Sequence, residues 1–94
     1  MASSHPTEVE GYKDELQLLC QCIHAMRYDR VEEFYRCCAV ELYNQATADR
    51  LKGRELLADL LEKSARLSEQ QQRMFALIFE RCKPYMSEEI GRDK

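Results

Sequence analysis

Residues 53–86 read GRELLADLLEKSARLSEQQQRMFALIFERCKPYM, and this stretch decides the fold class. Leu57, Leu60, Leu61 and Ser64 fall on one helical stripe, with Leu56 beside it. A second stripe follows: Met74, Phe75, Ile78 and Cys82, flanked by Leu77 and Phe79. Ser68 and Gln71 have the spacing of a capping box. The reading therefore places one helix at about 48–65, a short break at Leu67 and Ser68, and another helix ending at Lys83. Pro84 disfavours helical backbone at the residue before it, and Arg81 and Lys83 suit the negative end of a helix dipole. Gly53 falls inside the first of these helices at a cost of about 1 kcal/mol relative to alanine. Otherwise it marks the helix start or a close helix approach.

Upstream, Leu16, Leu19, Cys20, Ile23 and Met26 repeat at helical spacing and predict a first helix over 10–26. Glu8, Glu10, Asp14 and Glu15 place negative charge at its start. Asp29 and Glu32 have capping-box spacing, and Val31, Phe34, Tyr35 and Cys38 form the stripe of a second helix that weakens toward Leu42. Asn44-Gln45-Ala46-Thr47 reads as a polar connector. Ser87, Glu88 and Glu89 allow one more short turn reaching Ile90. No alternating run of Val, Ile or Thr signals a strand. The expected fold is all-α: a compact antiparallel bundle of five to six short helices over 11–90. Residues 1–10 form a disordered lead-in and 91–94 a frayed tail.

Composition narrows the function. The chain of 94 residues is 45% hydrophobic, too much for a disordered segment and enough for one small core. Its apolar runs are too short for a membrane-spanning helix. A net charge of −3 argues against a general nucleic-acid binder, which needs an excess of Lys and Arg against phosphate. Three scattered glycines build no phosphate-cradling loop. With only His5 and His24, the chain shows no catalytic constellation, and the expectation is a non-enzymatic protein without a cofactor or a metal.

The five cysteines, an odd number with no secretory leader, read as reduced thiols in the cytoplasm. Cys20 and His24 share a helix face, but two ligands do not close a tetrahedral site. The simpler expectation is that Cys20, Cys37, Cys38 and Cys82 are small buried hydrophobes. A redox- or metal-responsive switch using Cys20, Cys22, His24, Cys37 and Cys38 rests on cysteine density alone. Arg50, Lys52 and Arg54 read either as a solvated face or as one side of a charged protein contact.

Residues 53–86 resemble the second half of a death effector domain. The resembling features are Leu60-Leu61-Glu62, the break at Leu67-Ser68, and a helix carrying Met74, Leu77 and Ile78, then a basic residue near a closing apolar one. The first half fits more loosely, with Phe34 at the family's exposed apolar patch. Where the family carries Arg-x-Asp-Leu, this chain has Lys83-Pro84-Tyr85-Met86. Lysine keeps the charge without the bidentate fork. Glu32 or Glu33 would be its acidic partner. Caspase-recruitment and pyrin domains share the fold. The resemblance implies a six-helix bundle acting as an adaptor or regulator in apoptosis or innate immunity. It would bind other death-fold proteins, or itself, through complementary charged faces, without membrane or nucleic acid. The candidate partner-binding residues are Glu32, Glu33, Phe34, Arg50, Lys52, Arg54 and Lys83. The alternative is a helical scaffold subunit that binds an unrelated partner through an apolar groove.

Overall fold

A Schellman turn at residues 52–54 organises the molecule. Gly53 takes φ +78°. Its N–H donates to the Arg50 carbonyl at 3.0 Å, while the Arg54 N–H donates to the Asp49 carbonyl at 2.9 Å. These two bonds satisfy the last carbonyls of one helix as the chain reverses. The computed structural model describes residues 5–12 and 15–92, with side chains described as far as Met86. Three helices are present: α1 (Leu16–His24), α2 (Tyr28–Leu51) and α3 (Glu55–Arg92). Among the described residues there is no strand.

α2 and α3 form an antiparallel hairpin. Tyr35 stacks on Phe75, Tyr43 donates to Glu69, and Arg50 pairs with Asp59 and Glu62. Positions fall along α2 as they rise along α3. The fully buried side chains are small: Val31, Ala39 and Ala46 on α2, Ala58 and Ala65 on α3. Each alanine pair is seven residues apart, the spacing that keeps one seam facing a partner helix. Small residues there let the backbones approach. The result is elongated, 55 × 29 × 16 Å.

The all-α class agrees with the sequence, but the five to six short helices do not. The expected connector at 44–47 lies inside α2. It contains no Gly or Pro, Ala46 is fully buried, and the Thr47 hydroxyl donates back to the Tyr43 carbonyl at 3.1 Å. The expected break at Leu67-Ser68 lies inside α3, where the run Glu69-Gln70-Gln71-Gln72 consists of good helix formers. The expected helix over 48–65 is divided by the Gly53 turn. Pro84 does not end α3 but sits within it. Pro84 and Glu80 are both exposed, so the carbonyl that loses its donor can be hydrated. Asp29 is not an N-cap. Arg27 holds that place, and its guanidinium binds the Asp29 carboxylate bidentately at 2.7 and 2.9 Å. This hydrogen bonding holds the Asp29 carboxyl below its ordinary pKa.

α1 is shorter than expected and buries no residue. Leu16, Cys20 and Met26 of its stripe are exposed, because little of α2 reaches it. Within the expected lead-in, residues 5–12 contain a turn closed by Tyr12 N–H on the Val9 carbonyl. Residues 1–4, Asp14 and 93–94 lie outside the described residues, and α3 reaches Arg92 of the expected tail.

Gly53 gives a direct test of the turn. A Cβ built there meets nothing within 4 Å, so only the positive φ opposes a side chain. Gly53→Ala is expected to lower stability by about 1 kcal/mol. Urea unfolding followed by circular dichroism measures it; an unchanged midpoint would show that the turn does not need this conformation.

Candidate interaction surface

The residues expected to bind a partner divide between the two ends of the hairpin. Arg50, Lys52 and Arg54 surround the Gly53 turn. Glu32, Glu33 and Phe34 start α2, and Lys83 is on α3 at that same far end. At 1.5 Å per residue, Arg54 and Lys83 are about 40 Å apart. They do not form one site.

Most of these charges are used within the chain. Arg50 is gripped by Asp59 at 3.2 Å, by Glu62 at 2.9 Å and by Glu55, all on the first turns of α3. These hydrogen bonds, the Asp59 bond foremost, raise the Arg50 pKa. Arg54 pairs with Asp49 at 3.2 Å across the turn. Glu33 lies between Arg30 and Arg36 on its own helix. Lys83 pairs with Glu80 at 2.7 Å and sits over the Phe79 ring, 5.5 Å from its centre. The expected Lys83 network with Glu32 or Glu33 is therefore replaced by neighbours one turn away. Phe34 is half-buried against Tyr35 and borders a shallow groove of about 390 Å³ with Cys37, Cys38 and Leu42.

The end of the hairpin near α1 holds an aromatic cluster that sequence periodicity did not reveal. Phe75 stacks on Tyr35 at 5.4 Å and on Tyr28 at 6.0 Å, with His24 6.1 Å away. A cavity of about 340 Å³ opens beside it, lined by Met26, Tyr28, Phe79 and Tyr85 among others. His24 Nδ1 lies 2.9 Å from the Cys20 carbonyl, which only accepts, so Nδ1 is the donor. In the neutral ring, Nε2 then accepts from the Tyr35 hydroxyl at 2.9 Å. Cys20 Sγ, 3.5 Å from the same Nδ1, thus faces a nitrogen that already carries hydrogen. In this tautomer Nδ1 cannot take the Cys20 proton. Cys20, Cys22 and Cys37 are exposed, contrary to the expectation of burial for Cys20 and Cys37, while Cys38 and Cys82 are half-buried. Burial pushes the Cys38 thiol and the Tyr35 phenol above their ordinary pKa values. Among the described residues no three His, Cys, Asp or Glu side chains could hold a metal ion.

The surface least expected from the sequence is the outer side of α3. Positions 58, 61, 65, 68, 72, 75, 79, 82 and 86 repeat at alternating steps of three and four, and each is buried or half-buried. They face α2. On the far side Leu56, Leu60, Leu67, Met74 and Leu77 form a second stripe of the same period, each between 54% and 82% exposed. At 100° per residue the two stripes are roughly 150° apart. Sequence reading put Leu60 on one stripe with Leu61, and Met74 on one core stripe with Phe75, Ile78 and Cys82, because it assumed one apolar face per helix. Continuous heptads through 56–86 were the signal that two faces exist. A shallow depression of about 400 Å³ between Leu67, Gln70, Gln71 and Met74 interrupts the outer stripe. Among the described residues no helix is long and apolar enough to cross a membrane. The chain matches no protein-family model, no curated protein and no solved structure.

Proposed function

We propose that this protein is a non-enzymatic helical assembly module, presenting the outer face of α3 to another helical surface. One observation carries the reading: five large apolar side chains aligned over six turns of a single helix, all more than half exposed. Aligned exposure of this kind marks an interaction site, whereas scattered apolar residues do not. The hairpin supplies a preorganised edge, and covering its leucines costs only about 0.5–1 kcal/mol of side-chain entropy each. An adaptor role in apoptosis or innate immunity rests on the resemblance alone. The segment that carries the resemblance is here one turn and one uninterrupted helix, not part of a six-helix bundle.

The test is binding of a hydrophobic dye to diluted protein, where the face is free. Wild-type protein is expected to enhance the dye's fluorescence, and Leu67→Glu to remove most of that enhancement with helicity unchanged. Absence of enhancement at every dilution would sink the reading.

A further inference from the structure

We propose that the outer face of α3 is covered by α3 of a second copy laid antiparallel, joining two hairpins into a four-helix layer with the two α3 helices at its centre. This rests on the reading of that face as an assembly surface. The chain's own core is thin. Among the described residues Val31 is the largest side chain buried to under 2% exposure, and the other fully buried residues are alanines. A helix with apolar stripes on nearly opposite faces belongs between two partners, and α2 supplies one.

The face itself specifies the other. A two-fold contact needs a surface complementary to itself. Leu60 and Met74, both on that stripe, are each seven residues from Leu67. An antiparallel copy centred near Leu67 therefore sets leucine or methionine against leucine at each of these levels. Charge agrees. Asp59 precedes Leu60 and Arg73 precedes Met74, so both flank the stripe on the same side. The antiparallel arrangement brings Asp59 of each copy to Arg73 of the other. A parallel one would carry the copy's Asp59 and Arg73 to the opposite side of the seam, where neither pair could form. Arg73 is exposed and makes no ion pair among the described residues. Arg66 meets its own copy near the axis, the one like-charge encounter. It already has the Tyr43–Glu69 pair within electrostatic reach.

Sedimentation equilibrium on the full chain tests both the partner and its direction. The wild type is expected to be a dimer that dissociates on dilution. Arg73→Asp, which disturbs no internal pair, is expected to weaken it about tenfold, since it turns two attractive contacts repulsive. Asp59→Arg, which also breaks the internal Arg50–Asp59 pair, is expected to weaken it at least as much, with circular dichroism and thermal unfolding showing that the hairpin held by Glu55 and Glu62 stays folded. The Asp59→Arg/Arg73→Asp double variant is expected to recover most of the affinity. The two positions lie about 21 Å apart along one helix, so recovery has to come from contact between copies. Failure of the double variant to recover would overturn the antiparallel register. A monomer at all concentrations would overturn the second copy as occupant. If that monomer still binds dye at Leu67, the assembly face stands and takes a different partner; if it binds none, both readings fall.

Discussion

Ala46→Leu is expected to lower the unfolding free energy by about 1–3 kcal/mol, and Ala65→Leu to do the same. Both alanines are fully buried. They lie at one level of the hairpin, between the Tyr43–Glu69 bond and the Arg50–Glu62 pair. A leucine at either place has no void to enter, so it must spread the helices or twist into a strained rotamer. Spreading also lengthens the neighbouring hydrogen bond and ion pair. For a chain of this size the loss corresponds to a melting temperature lower by roughly 5–20 °C. Ala48→Leu supplies the control. Ala48 is exposed on the same helix, and leucine and alanine are both strong helix formers, so its stability is expected to hold within about 0.5 kcal/mol. Thermal unfolding at one fixed protein concentration makes the comparison, because association would otherwise shift the midpoint. Equal stability of Ala46→Leu and Ala48→Leu would show that the helices do not approach closely at this level.

This seam also explains which parts of the fold could be read from the sequence. Helical class was legible because apolar residues recur at steps of three and four and no alternation competes. Helix ends were not. Asp29, Ser68 and the polar run at 44–47 each imitate a boundary, yet a cap contributes only about 1 kcal/mol. Burial of Ala46 and Ala65 between the two helices, with the long-range pairs on either side, outweighs it. Gly53 was noticed as a helix start or close approach, but only the pairing of α2 with α3 makes it the point of reversal. Alanine was the weakest signal of all. Its small side chain marks no stripe, yet among the described residues four of the five buried apolar side chains are alanines. With the alanine seam unseen, Leu60 was grouped with Leu61 and Met74 with Phe75, and the outer face of α3 stayed hidden. Charged residues misled for a related reason. Arg50 stood out as a surface cation free to meet a partner, but three carboxylates from the next helix converge on it once the turn forms.

Phe75→Ala is expected to have the second large effect, at the opposite end of the hairpin from the turn. Phe75 is the one side chain that Tyr28, Tyr35 and His24 all approach, with ring centres 5.4–6.1 Å away. It is half-buried, so the loss falls somewhat below that of a core phenylalanine, about 2–3 kcal/mol. Its distribution differs from that of Ala46→Leu. The ring contacts α1 makes are those of His24, so removing Phe75 loosens the seat of that helix first. Amide hydrogen exchange is expected to accelerate across residues 16–24, while the seam from Ala39 to Ala65 keeps most of its protection. His24→Ala provides the comparison. It deletes the Tyr35 hydrogen bond and leaves Phe75 stacked between tyrosines, so α1 is expected to open with a much smaller loss of global stability. If Phe75→Ala instead unfolds the whole chain at once, α1 and the hairpin form one cooperative unit. If it leaves exchange in α1 unchanged, the aromatic cluster does not anchor that helix.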